Sequence, residues 1–227
     1  IDELFNAAIL LANQPLPAGN RLAIVTNAGG PGVMATDAAV RAGLSVPRLG
    51  GSTIEKLRDV LPATANTKNP VDLIGDARAD RYTAAMTHVL EDPNVDQVLV
   101  ILTPQSMTDI ESIAQGVCAT GREAIKPVMC SFMGAADVAG GIRILQHALI
   151  PHYILPEWAC RGMATVQAVL AWRRQVPDEP ERLPVDQAAA RAVLDAAPAG
   201  YLTEDQSLAV LAAYGLPFAL VLGGFLA

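Results

Sequence analysis

Residues 21–32 read RLAIVTNAGGPG, and the order of features in this stretch decides the fold class. The run Leu22–Thr26 is apolar without polar alternation, which is typical of a strand that is covered on both faces of a parallel sheet. Glycines 29, 30 and 32 follow at once, and an amphipathic helix is predicted over residues 32–42. A strand, a glycine-rich turn and a helix in this order begin a βα unit.

The same alternation continues as far as residue 174. Further short apolar runs predict strands at 44–47, 98–102, 128–132 and 152–154. Helices are predicted between and after them at 54–60, 79–91, 108–121, 138–148 and 157–174. We therefore expect an α/β fold over residues 20–175, a flavodoxin-like doubly wound parallel sheet of about five strands.

The two ends of the chain differ from this central region. Residues 1–12 have apolar residues at helical spacing, and prolines 15 and 17 close that segment. Residues 176–186 are rich in proline and charge, which is typical of a linker. Residues 187–227 predict a C-terminal helical appendage, in which Thr203 and Gln206 have the spacing of a capping box.

The composition excludes several classes of protein. Hydrophobic residues make up 52% of the chain and the formal net charge is −7, which supports a sizeable core and argues against a nucleic-acid module or a polybasic membrane-surface domain. The sequence predicts no membrane span, no signal peptide and no metal site, and the chain is expected to be a segment of a longer protein. Three scattered cysteines suggest reduced, buried thiols and a cytoplasmic location.

The junction after the first strand is the first candidate site. Gly29 and Gly30, with Asn27 beside them, let the backbone approach an anion at a helix N-terminus. The stretch is neither GxGxxG nor a Walker A loop. A tight turn that needs glycine only for its backbone angles is the alternative interpretation.

The junction after the strand at 98–102 is the second candidate site. Thr103, Gln105, Ser106 and Thr108 place hydroxyl and amide groups just before a predicted helix. Such groups suit a phosphate, although capping of the helix by Ser106, Thr108 or Asp109 is an equally good explanation.

Two acidic residues lie in a turn-rich segment between these junctions. Asp76 precedes the helix predicted from residue 79 and is a candidate cap, while Asp72 is placed to orient the glycine loop. No acid–base partner is evident for either residue, so turn formation and capping remain the alternative. No catalytic residue is predicted in this chain.

Five segments together resemble one family of enzymes. TNAGGPGVMATDA (26–38), NPVDLIGDA (69–77), LEDPNVDQVLVILTP (90–104), KPVMCSFMG (126–134) and LPEWACRGMA (155–164) resemble the second flavodoxin-like domain of NDP-forming acyl-CoA synthetases. That family includes ADP-forming acetate–CoA ligases and is related to succinyl-CoA synthetase. In this comparison residues 1–19 resemble the exit helix of a preceding domain. Residues 187–227 resemble the truncated start of an ATP-grasp domain.

The resemblance implies a reaction and a role. The family converts acyl-CoA, ADP and phosphate into a carboxylic acid, ATP and CoA through a phosphohistidine held between two helix N-termini. It implies that Asn27, Gly29, Gly30, Thr103, Gln105, Ser106 and Thr108 dock that phosphate, supported by Asp72 and Asp76. The second loop contains no glycine, unlike the relatives, so side chains would assist the helix N–H groups there.

The resemblance also implies what this chain lacks. The catalytic histidine belongs to another domain, so this fragment alone is expected to be inactive and to bind no cofactor. CoA, ATP or ADP and Mg belong to the full-length protein. The expected partners are the missing CoA-binding, phosphohistidine and ATP-grasp domains, and a homo-oligomer is a further possibility. Neither nucleic acid nor a membrane is expected as a partner.

Three other interpretations remain open from the sequence. The chain could be a flavodoxin-like module that binds a nucleotide, a flavin or an effector, although no aromatic residue lies in either candidate loop. It could be a domain that serves assembly alone. It could also come from a regulatory relative that is fused to an acetyltransferase.

Overall fold

The computed structural model describes residues 2–134, 136–176 and 184–216. The strands are β1 (Leu22–Thr26), β2 (Val71–Asp72), β3 (Gln97–Leu102) and β4 (Val128–Phe132). The helices are α1 (Asp2–Asn13), α2 (Gly29–Arg41), α3 (Gly51–Val60), α4 (Ala79–Glu91), α5 (Ile110–Arg122), α6 (Ala139–His147), α7 (Pro156–Arg173), α8 (Gln187–Ala196) and α9 (Glu204–Ala213). The described residues form two compact units that meet in sequence between Gln175 and Val176.

The first unit is built on one parallel sheet with the strand order β2-β1-β3-β4. The chain runs from β1 outward to β2 and then returns across β1 to β3 through α4. The strand order therefore reverses between β1 and β3, the position at which open α/β sheets bind ligands. The predicted α/β, flavodoxin-like doubly wound fold is confirmed.

Helices cover both faces of this sheet, and β1, β3 and β4 are buried along their whole length. Val25 and Val100 face one apolar cluster, which α3, α4, α5 and α6 complete. Ile24 and Ile101 face the other, which α1, α2 and α7 complete. Burial on both faces explains why these strands are continuous apolar runs in the sequence.

The number of strands differs in detail from the prediction. The strands expected at 44–47 and 152–154 are each a single bridge, Arg21 to Ser45 and Cys130 to His152. β2 was not predicted, because it is two residues long and lies in a segment that has the composition of a turn. The side chain of Asn69 replaces part of its ladder, since its amide accepts from Ile24 N–H at 3.0 Å and donates to the Leu22 carbonyl at 2.8 Å.

Two helices begin earlier than the sequence predicts. α2 starts at Gly29 instead of residue 32, and α3 starts at Gly51 instead of residue 54. In both helices glycine forms the first turn, and its low helix propensity hides the true start from sequence periodicity. Gly29 and Gly30 are therefore helical residues and not loop residues.

An ion pair at the amino edge of the sheet joins β1 to β3. The Arg21 guanidinium donates to both carboxylate oxygens of Asp96, at 2.9 and 2.7 Å, and the Arg21 N–H donates to the same carboxylate at 3.0 Å. Asp96 is only 4% exposed. These hydrogen bonds lower the pKa of the Asp96 carboxyl below its ordinary value.

The second unit contains α8 and α9, which pack against each other. The capping box predicted at Thr203 and Gln206 is confirmed, with both reciprocal hydrogen bonds present. α9 ends at Ala213, and Gly215 beyond it has a positive φ of 66° and donates its N–H to the Ala212 carbonyl, as in a Schellman motif. Most of the predicted linker, residues 177–183, and the apolar tail, residues 217–227, lie outside the described residues.

Candidate functional site

The predicted site residues meet at the carboxyl edge of the sheet because β1, β2 and β3 run parallel. β1 ends at Thr26, β2 at Asp72 and β3 at Leu102, so the three following segments start side by side. Gln105 reaches the β2–α4 segment, where a Cβ on Gly75 would lie 3.7 Å from its side chain. The structure therefore brings together the two junctions and the acidic segment that the sequence singled out.

A reciprocal pair of hydrogen bonds ties the two junctions together. The Asn27 amide donates to the Thr103 carbonyl and accepts from the Thr103 N–H, both at 2.9 Å. Asn27 is 2% exposed, so its side chain positions the loops and is not free to dock a phosphate directly. This corrects the role that the sequence suggested for it.

The N-terminus of α2 is open. Its N-cap residue, Ala28, makes no side-chain cap hydrogen bond, and the first turn carries no acidic residue. Gly29 and Gly30 are exposed, and their missing side chains leave the first backbone N–H groups accessible. Such a helix end favours an anion.

The N-terminus of α5 is closed. α5 begins at Ile110, and Asp109 caps it by accepting from the N–H and the hydroxyl of Ser112 at 3.1 and 2.7 Å. These hydrogen bonds lower the pKa of the Asp109 carboxyl. A carboxylate therefore already lies where the helix would attract a phosphate, as the sequence allowed when it offered Asp109 as a cap.

The other side chains of this loop are arranged around that cap. The Thr108 hydroxyl accepts from Gln105 N–H at 2.9 Å, so it shapes the loop and does not cap α5. Gln105 and Ser106 are exposed, and neither side chain hydrogen-bonds to a described residue. The Thr103 hydroxyl is buried and has no partner among the described residues.

The two predicted acids have different roles. Asp72 accepts from Ile74 N–H at 3.0 Å, and a Cβ on Gly29 would lie 3.3 Å from its carboxylate, so it does lie beside the glycines. Asp76 does not cap α4, whose N-cap is Arg78 without a side-chain bond. Instead it pairs with Arg81 at 2.6 Å, and this lowers the pKa of the Asp76 carboxyl.

Arg81 is the site residue that the sequence reasoning missed. Its guanidinium donates to the Leu73 carbonyl at 2.8 Å and to Asp76, which fastens the β2–α4 segment to the first turns of α4. Asp76 and Arg81 are five residues apart along the chain, which is not a spacing of neighbours on a helix, so no local pattern indicated the pair.

The histidines do not contribute to this cluster. His88 lies in α4 with a buried Nδ1 that has no described partner, and His147 lies in the last turn of α6. His152 lies beside the Phe132 carbonyl, and burial lowers its pKa. In the part of the chain that the structure describes, no group of three potential ligands could hold a metal ion.

Comparison with known proteins identifies the family. Residues 22–177 match the Ligase-CoA domain family. The chain belongs to this family. The resemblance to NDP-forming acyl-CoA synthetases that the sequence indicated is therefore confirmed, and it covers the whole sheet with α2 to α7.

Relatives with curated names agree with this Ligase-CoA assignment. Acetate–CoA ligase [ADP-forming] I of Archaeoglobus fulgidus is 36% identical over 223 residues, which are 96% of this chain and 31% of that protein. 4-Hydroxybutyrate–CoA ligase [ADP-forming] of Nitrosopumilus maritimus is 30% identical over 220 residues, which are 96% of this chain and 31% of that protein. The chain thus spans about a third of the length of these relatives.

Solved structures show the same Ligase-CoA architecture. A protein of Pyrococcus horikoshii OT3 aligns with a TM-score of 0.70 and 37% identity, over 74% of this chain and 39% of that one. The dinucleotide-forming acetyl-coenzyme A synthetase 1 of Ca. Korarchaeum cryptofilum, solved in complex with phosphate and ADP, aligns with a TM-score of 0.70 and 28% identity, over 78% and 40%. Among the described residues of the present chain, no helix is long and apolar enough to cross a membrane.

Proposed function

We propose that this chain is one domain of an ADP-forming acyl-CoA ligase, which converts acyl-CoA, ADP and phosphate into a carboxylic acid, ATP and CoA. In this role it provides no catalytic residue. Its sheet edge holds the phosphoryl group of a phosphohistidine that another domain supplies, while CoA, the ADP or ATP that reacts and Mg bind to other domains. The observation that carries the proposal is the pairing of Asn27 with Thr103, which brings two strand-to-helix junctions together beside an uncapped helix.

The N-terminus of α2 provides the main contact in this proposal. Gly29 and Gly30 direct backbone N–H groups at the phosphate, and the absence of Cβ atoms lets the phosphate approach the backbone. Nothing lies within 4 Å of the position that a Cβ on Gly30 would occupy, so this approach is open. The phosphate therefore needs no induced movement of α2.

The segment before α5 provides side chains in place of a free helix end. Because the Asp109 carboxylate caps α5, this helix attracts an anion less than α2 does. Gln105 and Ser106 are exposed above the junction and supply an amide and a hydroxyl as donors. We therefore assign the main helix contact to α2 and a supporting side-chain contact to the segment before α5.

Charge at this edge is balanced by pairing. Arg81 neutralises Asp76, while Asp72 stays next to Gly29 and uses one carboxylate oxygen to hold the turn at Ile74. Asp72 therefore fixes the loop near the phosphate but also repels it. A site of this kind binds a phosphoryl group weakly and reversibly, which suits a phosphoryl group that is transferred in the next step.

A matched pair of variants at Gly30 tests the proposal in the complete ligase. Gly30→Asp places a negative charge at the phosphate position, and that carboxylate itself stabilises the helix N-terminus by about 0.3–1 kcal/mol. Gly30→Asn has nearly the same shape without the charge. We expect acid-labile phosphohistidine formation to fall in both variants, because each adds a side chain where the phosphate approaches, and to fall much further in Gly30→Asp. Equal phosphorylation of the two variants would exclude a phosphate at α2.

A second role, assembly with other domains, is supported by a different surface. The outer face of α1 carries Leu4 and Phe5, which are 70% and 61% exposed, and Trp172 at the end of α7 is 70% exposed. Contiguous apolar patches are uncommon on the surfaces of monomers. Sedimentation of this chain and of Phe5→Glu over a range of concentrations tests whether this face also forms a homo-oligomer. If it does, the wild type associates and the variant does not.

A further inference from the structure

A second surface of the first unit has the features of a ligand site and is independent of the proposed phosphohistidine role. An open groove of about 550 Å³ lies between α5 and α6. Its floor is formed by small or apolar side chains, which are Cys118, Ala119, Ile144 and Ala148. A volume in this range is typical of small-molecule sites, which combine an apolar lining with a few polar groups.

Three basic side chains line the groove. Arg122 comes from the last turn of α5, and Arg143 and His147 come from α6. Neither arginine forms an ion pair with a described residue, since the ion pairs found there involve other cations. Two guanidinium groups and an imidazole therefore lie in one groove of a chain whose net charge is −7.

The orientation of His147 adds a polar atom to this group. Its Nδ1 lies 2.7 Å from the Arg143 carbonyl. A carbonyl only accepts, so Nδ1 carries the proton and Nε2 remains for a ligand or for solvent.

Helix stability accounts for only part of this arrangement. A cation in the last turn of a helix interacts favourably with the negative end of the helix dipole, which explains Arg122 and His147. Arg143 lies near the middle of α6, where this effect has faded. Its exposed guanidinium lies beside the groove.

One acidic side chain also lines the groove, at the end opposite Arg122 and His147. Glu111 is in the first turn of α5, and its carboxylate packs against Gly140 at the start of α6. The basic and apolar side chains therefore share the C-terminal half of the groove, where Cys118 and Ala119 lie one turn before Arg122 and where Ile144 and Ala148 flank His147. The Glu111 carboxylate closes the other end. An occupant that fits has one compact polyanionic head and an uncharged, partly apolar body.

We propose that this groove binds an organic phosphate of the nucleotide type. The guanidinium groups of Arg122 and Arg143 hold the phosphates by bidentate hydrogen bonds, with His147 beside them. The floor of Cys118, Ala119, Ile144 and Ala148 accommodates the uncharged base and sugar. An acidic peptide, by contrast, would spread its charges along the groove and set some of them against Glu111.

Titration of this chain with ADP, followed by two-dimensional NMR, tests the assignment. We expect saturable shifts of the Gly140 and Ala119 amides with a Kd below about 1 mM. Inorganic pyrophosphate, which is the head without the body, is expected to bind more weakly, and adenosine, the body without the head, weaker still. Arg122→Gln and Arg143→Gln are each expected to weaken ADP binding about tenfold or more.

Arg41→Gln is the matched control, because Arg41 is also an exposed arginine in the last turn of a helix but lies on α2. It is expected to leave ADP binding unchanged. Failure of ADP to saturate, or an equal affinity in all three arginine variants, would overturn the proposal. Pyrophosphate that binds as tightly as ADP would exclude a role for the floor, and an acidic peptide that binds more tightly would assign the groove to a protein partner instead.

Discussion

The side-chain amide of Asn27 and the backbone of Thr103 form two hydrogen bonds of 2.9 Å, across the point where the strand order of the sheet reverses. This contact gives the two strand-to-helix junctions one fixed spacing. It also means that Asn27, although it lies in the most conspicuous motif of the sequence, acts on the site through the loops that it joins.

Replacement of Asn27 by Asp is expected to destabilise the first unit. The carboxylate still accepts from the Thr103 N–H, but its second oxygen faces the Thr103 carbonyl without a proton to share. Leaving that buried group unpaired should lower the free energy of unfolding in urea by about 1–3 kcal/mol. Gln105→Glu makes the same chemical change at an exposed neighbour and should alter stability by less than about 0.5 kcal/mol. Similar losses in the two variants would contradict a structural role for Asn27.

Removal of the Asp96 carboxylate is expected to destabilise the chain in a pH-dependent manner. Because the bonds from Arg21 lower the pKa of Asp96 in the folded state, the pair stabilises the fold at pH values above the pKa of the unfolded chain, about 3.9. That stabilisation is lost as the pH falls through the lower, folded pKa. Asp96→Asn should therefore cost about 1–2 kcal/mol at pH 7, discounted for the partly exposed Arg21, and less below about pH 4.

The control for this experiment is Asp59→Asn. Asp59 is exposed near the end of α3 and makes no side-chain hydrogen bond to a described residue. Urea unfolding at several pH values should show parallel curves for this variant and the wild type. A stability difference between Asp96→Asn and the wild type that does not shrink in acid would contradict the pKa direction.

A negative charge at Ser106 is expected to impair phosphate docking in the complete ligase. Ser106 is exposed above the junction, so Ser106→Asp should leave the fold intact while it repels the phosphoryl group. We expect less phosphohistidine at equal protein and ATP. Ser52→Asp introduces the same charge in the first turn of α3 and should give as much phosphohistidine as the wild type. Unchanged labelling of Ser106→Asp would favour the assembly role.

Loss of the capping box is expected to weaken only the second unit. Thr203→Ala removes the hydroxyl that accepts from the Gln206 N–H at the start of α9, at a cost of about 1 kcal/mol. Hydrogen exchange of the α9 amides should accelerate by about fivefold, while the β1 and β3 amides keep their protection. Thr165→Ala, in the interior of α7, should leave α9 exchange unchanged. Faster exchange throughout the chain would indicate that the two units unfold together.

The sequence was a good guide wherever structure depends on residues close together in the chain. The apolar runs at β1, β3 and β4 predicted those strands, and Thr203 with Gln206 predicted a helix start, because their hydrogen bonds lie within a few residues. β2 was missed because its two residues are held by β1 and by the Asn69 side chain, which no local pattern reveals.

The features of the candidate site also fall into two groups, those that the sequence predicts and those that depend on the tertiary structure. The sequence by itself determined the fold class, the family and the glycine-rich junction after β1, since these follow from periodicity, residue type and motif order. Only the tertiary structure decided that Asn27 bonds to a residue 76 positions away and that Asp76 pairs with Arg81. A polar side chain bonds to whichever donor or acceptor the packed sheet and helices bring within about 3 Å, and that proximity arises only when the chain has folded.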